Sequence, residues 1–485
     1  MPFKPIPTLL AIATALIIWF VIPVPEGVTP NAWHMLALFV ATIVAIIGKA
    51  LPIGAIAIIA VTLVALTGVT SDSPSTAISD ALSSFSSPLI WLIGVAVMIS
   101  RGLIKTGLGN RIAYYFISIF GKKSIGVAYS LAAAELMVAP ITPSNTARGG
   151  GIIHPIMKSI AQSFDSTPEA GTQNKIGRYL AMVNYHSNPI TSGMFITATA
   201  PNPLVVDLVN KATGSEIQLS WTTWAVAMFI PGMLCLLVMP WVIYFLYPPE
   251  LKATPNAKTF ATDNLEKMGK VSQAEKIMLG VFALMLLLWA NIPAMILGDA
   301  FSVNATTTAF IGLSVLILTG VLSWDDILKE KSAWDTIVWF GALIMMASYL
   351  SKLGLIDWFA GSIETMIGTT GVGWVGAVVI LTLVYLYIHY FFASTTAHIT
   401  ALFAAFYAVG LSLGAPPMLY ALILAAAGNI MMTLTHYATG TAPIIFNSGY
   451  VTLGEWWRLG AVMSVVNLVL WIGAGLLWWK LLGYY

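Results

Sequence analysis

Eleven stretches of this chain are apolar for long enough to cross a bilayer. They fall at about 7–24, 32–48, 51–69, 88–104, 179–197, 222–246, 277–296, 305–322, 336–354, 418–436 and 458–482. Crossing about 30 Å of hydrocarbon takes roughly 20 helical residues. Lipid offers the backbone no hydrogen bonds, so a span must satisfy its own, and a helix does so within one segment. The composition agrees: 58% of the 485 residues are hydrophobic and 9% charged, against about 25% charged in soluble domains. The pattern predicts an all-α polytopic membrane protein. The net charge of +2 gives no footprint for nucleic acid.

Two further apolar segments are interrupted at their centres. Residues 126–160 are broken by "APITPSNTARGGG" and residues 373–412 by "HYFFASTTAHIT". Each is too long for one helix and too polar in the middle to face lipid. Each fits a re-entrant hairpin, whose irregular tip is tolerated only when buried in protein or lining a watery cavity.

Lysine and arginine orient the chain. With the N-terminus inside, eighteen fall on inside segments and three on outside ends, with Arg148 at a hairpin tip. This places the N-terminus in the cytoplasm and the C-terminus outside. The run at 7–24 reads as a retained first span, since it lacks a small-x-small cleavage site. A bacterial inner membrane fits better than a plastid envelope, because no Ser/Arg-rich segment precedes that run. The single cysteine, Cys235, excludes an internal disulfide framework.

The two halves repeat. "IWLIGVAVMISRGLIKTGL" (90–108) resembles "VWFGALIMMASYLSKLGL" (338–355). "SNTAR" (144–148) falls on "STTAH" (394–398), and "ATAPN" (198–202) on "ATGTAP" (438–443). The order is conserved and the shifts are 240 to 250 residues. The expected organisation is a first span at 1–31, a first repeat at 32–247, a cytoplasmic linker at 248–276 and a second repeat at 277–485. Each repeat holds five spans and one hairpin, so the second enters the membrane inverted. Inverted repeats with broken helices near the midplane are a signature of secondary transporters.

The chemistry concentrates at the tips. A half-helix ending in mid-membrane offers unpaired N–H groups and a partial positive charge. Ser144, Asn145 and Thr146 add short hydroxyl and amide groups, and the second tip adds Ser394, Thr395 and Thr396. The two tips could each hold one carboxylate of a small diacid. The breaks at 198–202 and 438–442, with Thr199, Thr439 and Thr441, would complete the walls. Arg148 and His398 stand at equivalent places beyond the two triplets, as charge-compensating candidates. An arginine at membrane depth is a functional candidate by default; the alternative is an ion pair with Glu135 on the other hairpin arm. No catalytic dyad, HExxH motif or metal cluster appears, so neither an enzyme nor a metal cofactor is expected.

The paired tips, each followed about 50 residues later by an "AT-x-P"-like break, resemble the divalent-anion/sodium symporter family of INDY-type di- and tricarboxylate carriers. "TPSNTARGGGIIHPI" is similar to one branch, the plastid 2-oxoglutarate/malate translocators and bacterial citrate/succinate exchangers. The resemblance implies an elevator-type homodimer whose moving domain carries both hairpins. It implies C4/C5 dicarboxylates (2-oxoglutarate, malate, succinate) as substrates. In the sodium-coupled members the tips and breaks form sodium sites. Here the second tip lacks its asparagine, and Ala198 stands where a glycine is usual. The expected activity is therefore sodium-independent obligatory antiport. A sodium-coupled symporter of the same substrates and an inorganic ion antiporter of similar architecture are the alternatives.

Overall fold

The computed structural model describes residues 4–368 and 373–485, without the side chains of 363, 364 and 366–368. Residues 1–3 of the expected first segment and 369–372 of the expected second repeat lie outside the described residues. The described chain is helical, with a single isolated β-bridge between Lys123 and Ala253. Its principal helices are α1 (Pro5–Leu16), α2 (Pro30–Ile47), α3 (Ile53–Thr67), α4 (Pro88–Thr106), α5 (Ser124–Val138), α6 (His154–Ser163), α7 (Gly177–Met194), α8 (Trp221–Leu246), α9 (Gln273–Trp289), α10 (Lys331–Lys352), α11 (Trp374–Tyr387), α12 (Thr395–Ser412) and α13 (Leu453–Leu481).

Among the described residues, 8 helices have the length and composition to cross a membrane, beside several shorter apolar ones. This is a multi-pass membrane protein. Three of the eight, at Ser124–Ile141, Trp374–Phe391 and Thr395–Ser412, belong to the segments read as hairpins, and each is 18 residues long. Conversely, α3 is only 15 residues and is counted among the shorter apolar helices.

Local sequence explains the helix starts. Thr29 accepts the Ala32 N–H ahead of Pro30. Ser272 with Glu275, and Thr452 with Glu455, form reciprocal capping boxes that begin α9 and α13. At the end of α4, Gly107 takes a left-handed φ of +74°. Gly354, its partner in the repeat alignment, does the same two residues beyond α10 at +79°. Both conformations favour glycine.

The chain forms two compact units, neither of which is a sequence half. The first comprises Met1–Gly94, Leu204–Gln218 and Lys331–Leu424; the second comprises Val95–Pro203, Leu219–Glu330 and Ala425–Tyr485. The hairpin at 126–160 lies in the second unit and that at 373–412 in the first. The resemblance implied one body carrying both.

In the first unit, α2, α3 and α10 pack around Leu38, Val64, Met345 and Met346, and Phe392 and Ala397 of the hairpin join them. In lipid such packing relies on close van der Waals contact, and small residues permit it. Gly341, for example, lies flat on Phe85, and a Cβ there would stand 2.8 Å from the ring.

In the second unit α7 is the central helix: every residue except Arg178 is buried. A helix buried all round must be enclosed by others. Here α8 and α13 do part of this, tied in by tryptophans. Trp224 donates to the Gly193 carbonyl at 3.0 Å, and Trp479 to that of Ala227 at 2.8 Å.

Candidate binding site at the first hairpin tip

The second unit assembles a polar centre from three places in the sequence. The first is the hairpin tip. After α5 the chain makes a short 3₁₀ turn at Ala139–Ile141, runs irregularly to Ser144 and resumes as a π-helix at Thr146–Ile153 that leads into α6. Pro140 and Pro143 explain the interruption, since proline removes a backbone donor. The second place is α7 and the break after it, where the helix stops at Met194 and the chain turns through Ile196–Ala198 before Pro201. The third is the matching break at Met431–Gly440, ahead of the short helix Thr441–Phe446.

Arg148 joins the first two. Its side chain is fully buried. Its Nε donates to Glu135 Oε1 at 2.6 Å and its Nη2 to Ser192 Oγ at 2.7 Å. Nη1 donates to two carbonyls, of Thr142 in the tip and Ala198 in the break, each at 2.7 Å. The guanidinium therefore binds oxygens of the tip, the tip's first arm, α7 and the break together. Its charge is met by Glu135, also fully buried. The ion pair weighed in the sequence is thus present, and the tip carries no bare cation at Arg148.

Asn188 links this cluster to the third place. Its amide donates to Glu135 Oε1 at 2.7 Å and to the Asn145 carbonyl at 3.0 Å, while its Oδ1 accepts from Thr441 Oγ1 at 3.2 Å. Asn145 in turn donates to Thr439 Oγ1 at 2.8 Å. Thr146 lies against Gly440, whose added Cβ would collide with its hydroxyl. Gly149 approaches the same centre so closely that a Cβ would stand 2.8 Å from Asn188 Nδ2 and 3.0 Å from Thr441 Cγ2. Glycine is needed there for space.

Five of the predicted residues thus converge in one unit: Asn145, Thr146, Arg148, Thr439 and Thr441. Thr199 sits in the same break, buried, with its carbonyl accepting from Asn202 at 3.2 Å. Ser144 acts as a cap, its Oγ accepting the Ala147 N–H at 3.1 Å. Two buried oxygens of the centre, Glu135 Oε2 and Thr142 Oγ1, have no hydrogen-bond partner among the described residues.

The second tip is built the same way within the first unit. Ser394 Oγ accepts the Ala397 N–H at 3.3 Å and its carbonyl accepts from His398 N at 3.1 Å. At the first tip the Arg148 N–H meets the Ser144 carbonyl at 3.0 Å. Thr395 is buried, and Ser394 and Thr396 are half-buried. His398 is fully buried, with its Nδ1 3.2 Å from that of His389 and its ring edge-on to Tyr385. Two facing Nδ1 atoms need one donor and one acceptor, so the two imidazoles together hold at most one extra proton.

Asn188 and Ser192 were missed as site residues in the sequence. The signal was there: Asn184, Asn188, Thr191 and Ser192 recur at helical spacing in the polar stretch "NYHSNPITS" (184–192), beside Pro189.

Comparison with known families decides the assignment. The sodium:sulfate symporter transmembrane region matches residues 4–485. The chain belongs to the sodium:sulfate symporter family. It is therefore a multi-pass membrane protein of a transporter family, as its sequence led one to expect. Among family relatives it is 49% identical to a Bacillus subtilis (strain 168) protein named "Putative malate transporter YflS", over 99% of this chain and 97% of that one. It is 45% identical to dicarboxylate transporter 1, chloroplastic, of Arabidopsis thaliana, over 98% of this chain and 83% of the relative. The fold is similar to that of the Alcanivorax borkumensis YdaH transporter, with a TM-score of 0.60 at 12% identity over 99% of both chains.

Proposed function

We propose that this protein exchanges C4/C5 dicarboxylates such as malate, succinate and 2-oxoglutarate across a bacterial inner membrane, without sodium. The dicarboxylate class is supported by the names of the malate and chloroplast dicarboxylate relatives. The exchange and the independence from sodium rest on one observation, the four contacts of Arg148.

Unwound carbonyls beside half-helix ends are the groups that hold sodium in transporters of this architecture. Here the guanidinium takes two such carbonyls, one from the tip and one from the break, together with a hydroxyl. A tethered cation does the positional work of a bound ion and cannot leave with the substrate. Asn145, Thr146, Thr199, Thr439 and Thr441 then line the carboxylate site of the second unit. Ser144 shapes its tip, and Ser394, Thr395, Thr396 and His398 act at the tip of the first unit. Arg148 is a positioning residue whose charge Glu135 balances. The substrate's charge is left to helix N-termini and amide and hydroxyl donors.

The parallel caps at Ser144 and Ser394 and the parallel left-handed glycines 107 and 354 support reading the chain as two inverted repeats, at 32–247 and 277–485 after a first span at 1–31, joined by a cytoplasmic linker at 248–276. A homodimer working as an elevator, with its N-terminus in the cytoplasm and its C-terminus outside, completes the reading.

A sodium-coupled symporter is the second reading. It is favoured by Glu135 Oε2, a buried carboxylate oxygen without a partner among the described residues. Succinate binding to purified protein separates the two. Equal affinity in sodium and choline buffers supports the tethered-cation reading. Binding that appears only with sodium assigns Glu135 Oε2 and the tip oxygens to an ion and overturns it.

A further inference from the structure

Helices α1, α2 and α3 of the first unit leave a groove of about 560 Å³ between them. Its walls are almost wholly apolar, with Ala11, Ala15, Leu38, Ala41, Ala60 and Leu63 among them. It runs from Thr8 in α1 to Phe20 in the π-helical turn Ile17–Val21 that follows, which at about 1.5 Å per residue is about 18 Å. One leaflet of a bilayer has about 15 Å of hydrocarbon. The groove thus matches one acyl chain in length.

Its Thr8 end is basic. The backbone N–H of Lys4 donates to the Ala50 carbonyl at 2.9 Å, and Ala50 and Leu51 line the groove. This seats Lys4 beside Lys49, and both are exposed. Lys49 holds a left-handed φ of +51°, an uncommon state for a residue other than glycine or asparagine. This backbone falls in the turn after α2 and sets Lys49 next to Ala50, which lines the groove. Asp335 of α10 is turned to the N–H of Gly54 at the start of α3. Helices α1, α2 and α3 contain no acidic residue.

We propose that this groove holds one acyl chain of an anionic phospholipid, with Lys4 and Lys49 on its phosphate. The charge favours this occupant over a second copy of the chain, which would bring the same two lysines to an interface whose three helices have no carboxylate to meet them.

The test is native mass spectrometry of the delipidated, detergent-solubilised protein titrated with phosphatidylglycerol or phosphatidylcholine. A lysine near an anionic membrane surface strengthens binding about fivefold, so with two lysines phosphatidylglycerol should bind about twenty-fivefold more tightly. The double variant Lys4→Ala, Lys49→Ala should bind both lipids alike. The variant Ala15→Trp, which fills the groove and keeps the lysines, should bind neither well. Equal affinity of the wild type for the two lipids overturns the proposal, as does an unchanged preference in the double-lysine variant. An intermolecular disulfide formed by Ala15→Cys in the lipid-free protein would assign the groove to a second copy and also overturn it.

Discussion

The guanidinium of Arg148 lies 2.6 Å from Glu135 Oε1, and neither side chain has any exposed surface. Removing one partner leaves a buried charge unmet, which costs about 3–5 kcal/mol. Glu135→Ala should therefore destabilise the protein severely, as measured by thermal unfolding in detergent. Replacing both, as Glu135→Leu with Arg148→Met, should restore most of the lost stability. The double variant should still fail to transport, because the tip and the break no longer share a cation.

Arg148→Lys separates charge from geometry. Lysine keeps the positive charge but not the planar fork, so it cannot reach Glu135, Ser192 and both carbonyls together. Succinate affinity should fall about tenfold or more, the equivalent of about 1.4 kcal/mol. Wild-type affinity in this variant would mean that charge alone suffices.

The three consecutive glycines should respond unequally. At Gly149 a methyl would press on Asn188 and Thr441, while at Gly151 nothing lies within 4 Å. Overpacking costs about 1–3 kcal/mol, whereas alanine in a helix is favoured over glycine by about 0.5–1 kcal/mol. Gly149→Ala should lower both the unfolding temperature and the transport rate. Gly151→Ala should leave transport unchanged and stability equal or higher.

An ion pair between the last turn of α4 and Asp326, which lies outside the membrane-spanning helices, predicts a pH dependence. Asp326 caps the short helix Trp324–Lys329 and accepts from Lys105 at 2.6 Å. The Lys105 ammonium, with the Ser323 backbone and hydroxyl, holds its carboxyl well below the usual aspartate range. The folded pKa is depressed, so the stabilisation is fully present above the unfolded value of about 3.9. It is lost as the pH falls through the folded value. The pair is partly exposed, so its worth is about 0–1 kcal/mol. The unfolding temperature of wild type minus that of Asp326→Asn should be slightly positive at neutral pH and shrink on acidification below about pH 4. A difference that grows on acidification would contradict this.

Much of the architecture was legible because lipid imposes it. Apolar runs marked most helices, and prolines and polar triplets marked where they stop. The tips at 144–148 and 394–398 stood out for being polar in an apolar setting, and their serines cap the chain in the same way. Helix lengths were less legible, because hydropathy does not register where a helix breaks. The run at 51–69 contains a helix of 15 residues, while the arms of the second hairpin are each 18. Partners were least legible. Glu135 appeared only as the alternative partner of Arg148, and Asn188 was one of several polar residues in 184–192 with nothing local to single it out. Its link to Thr441 crosses 253 residues, a pairing that only the folded chain makes visible.

The central claim, that Arg148 stands permanently where a carrier of this architecture would bind sodium, is tested most directly by transport. Proteoliposomes loaded with succinate, or left empty, would be given labelled 2-oxoglutarate outside, in sodium or in choline buffer. The account predicts uptake only into loaded vesicles, at the same rate in both buffers. Uptake into empty vesicles that requires sodium would contradict it.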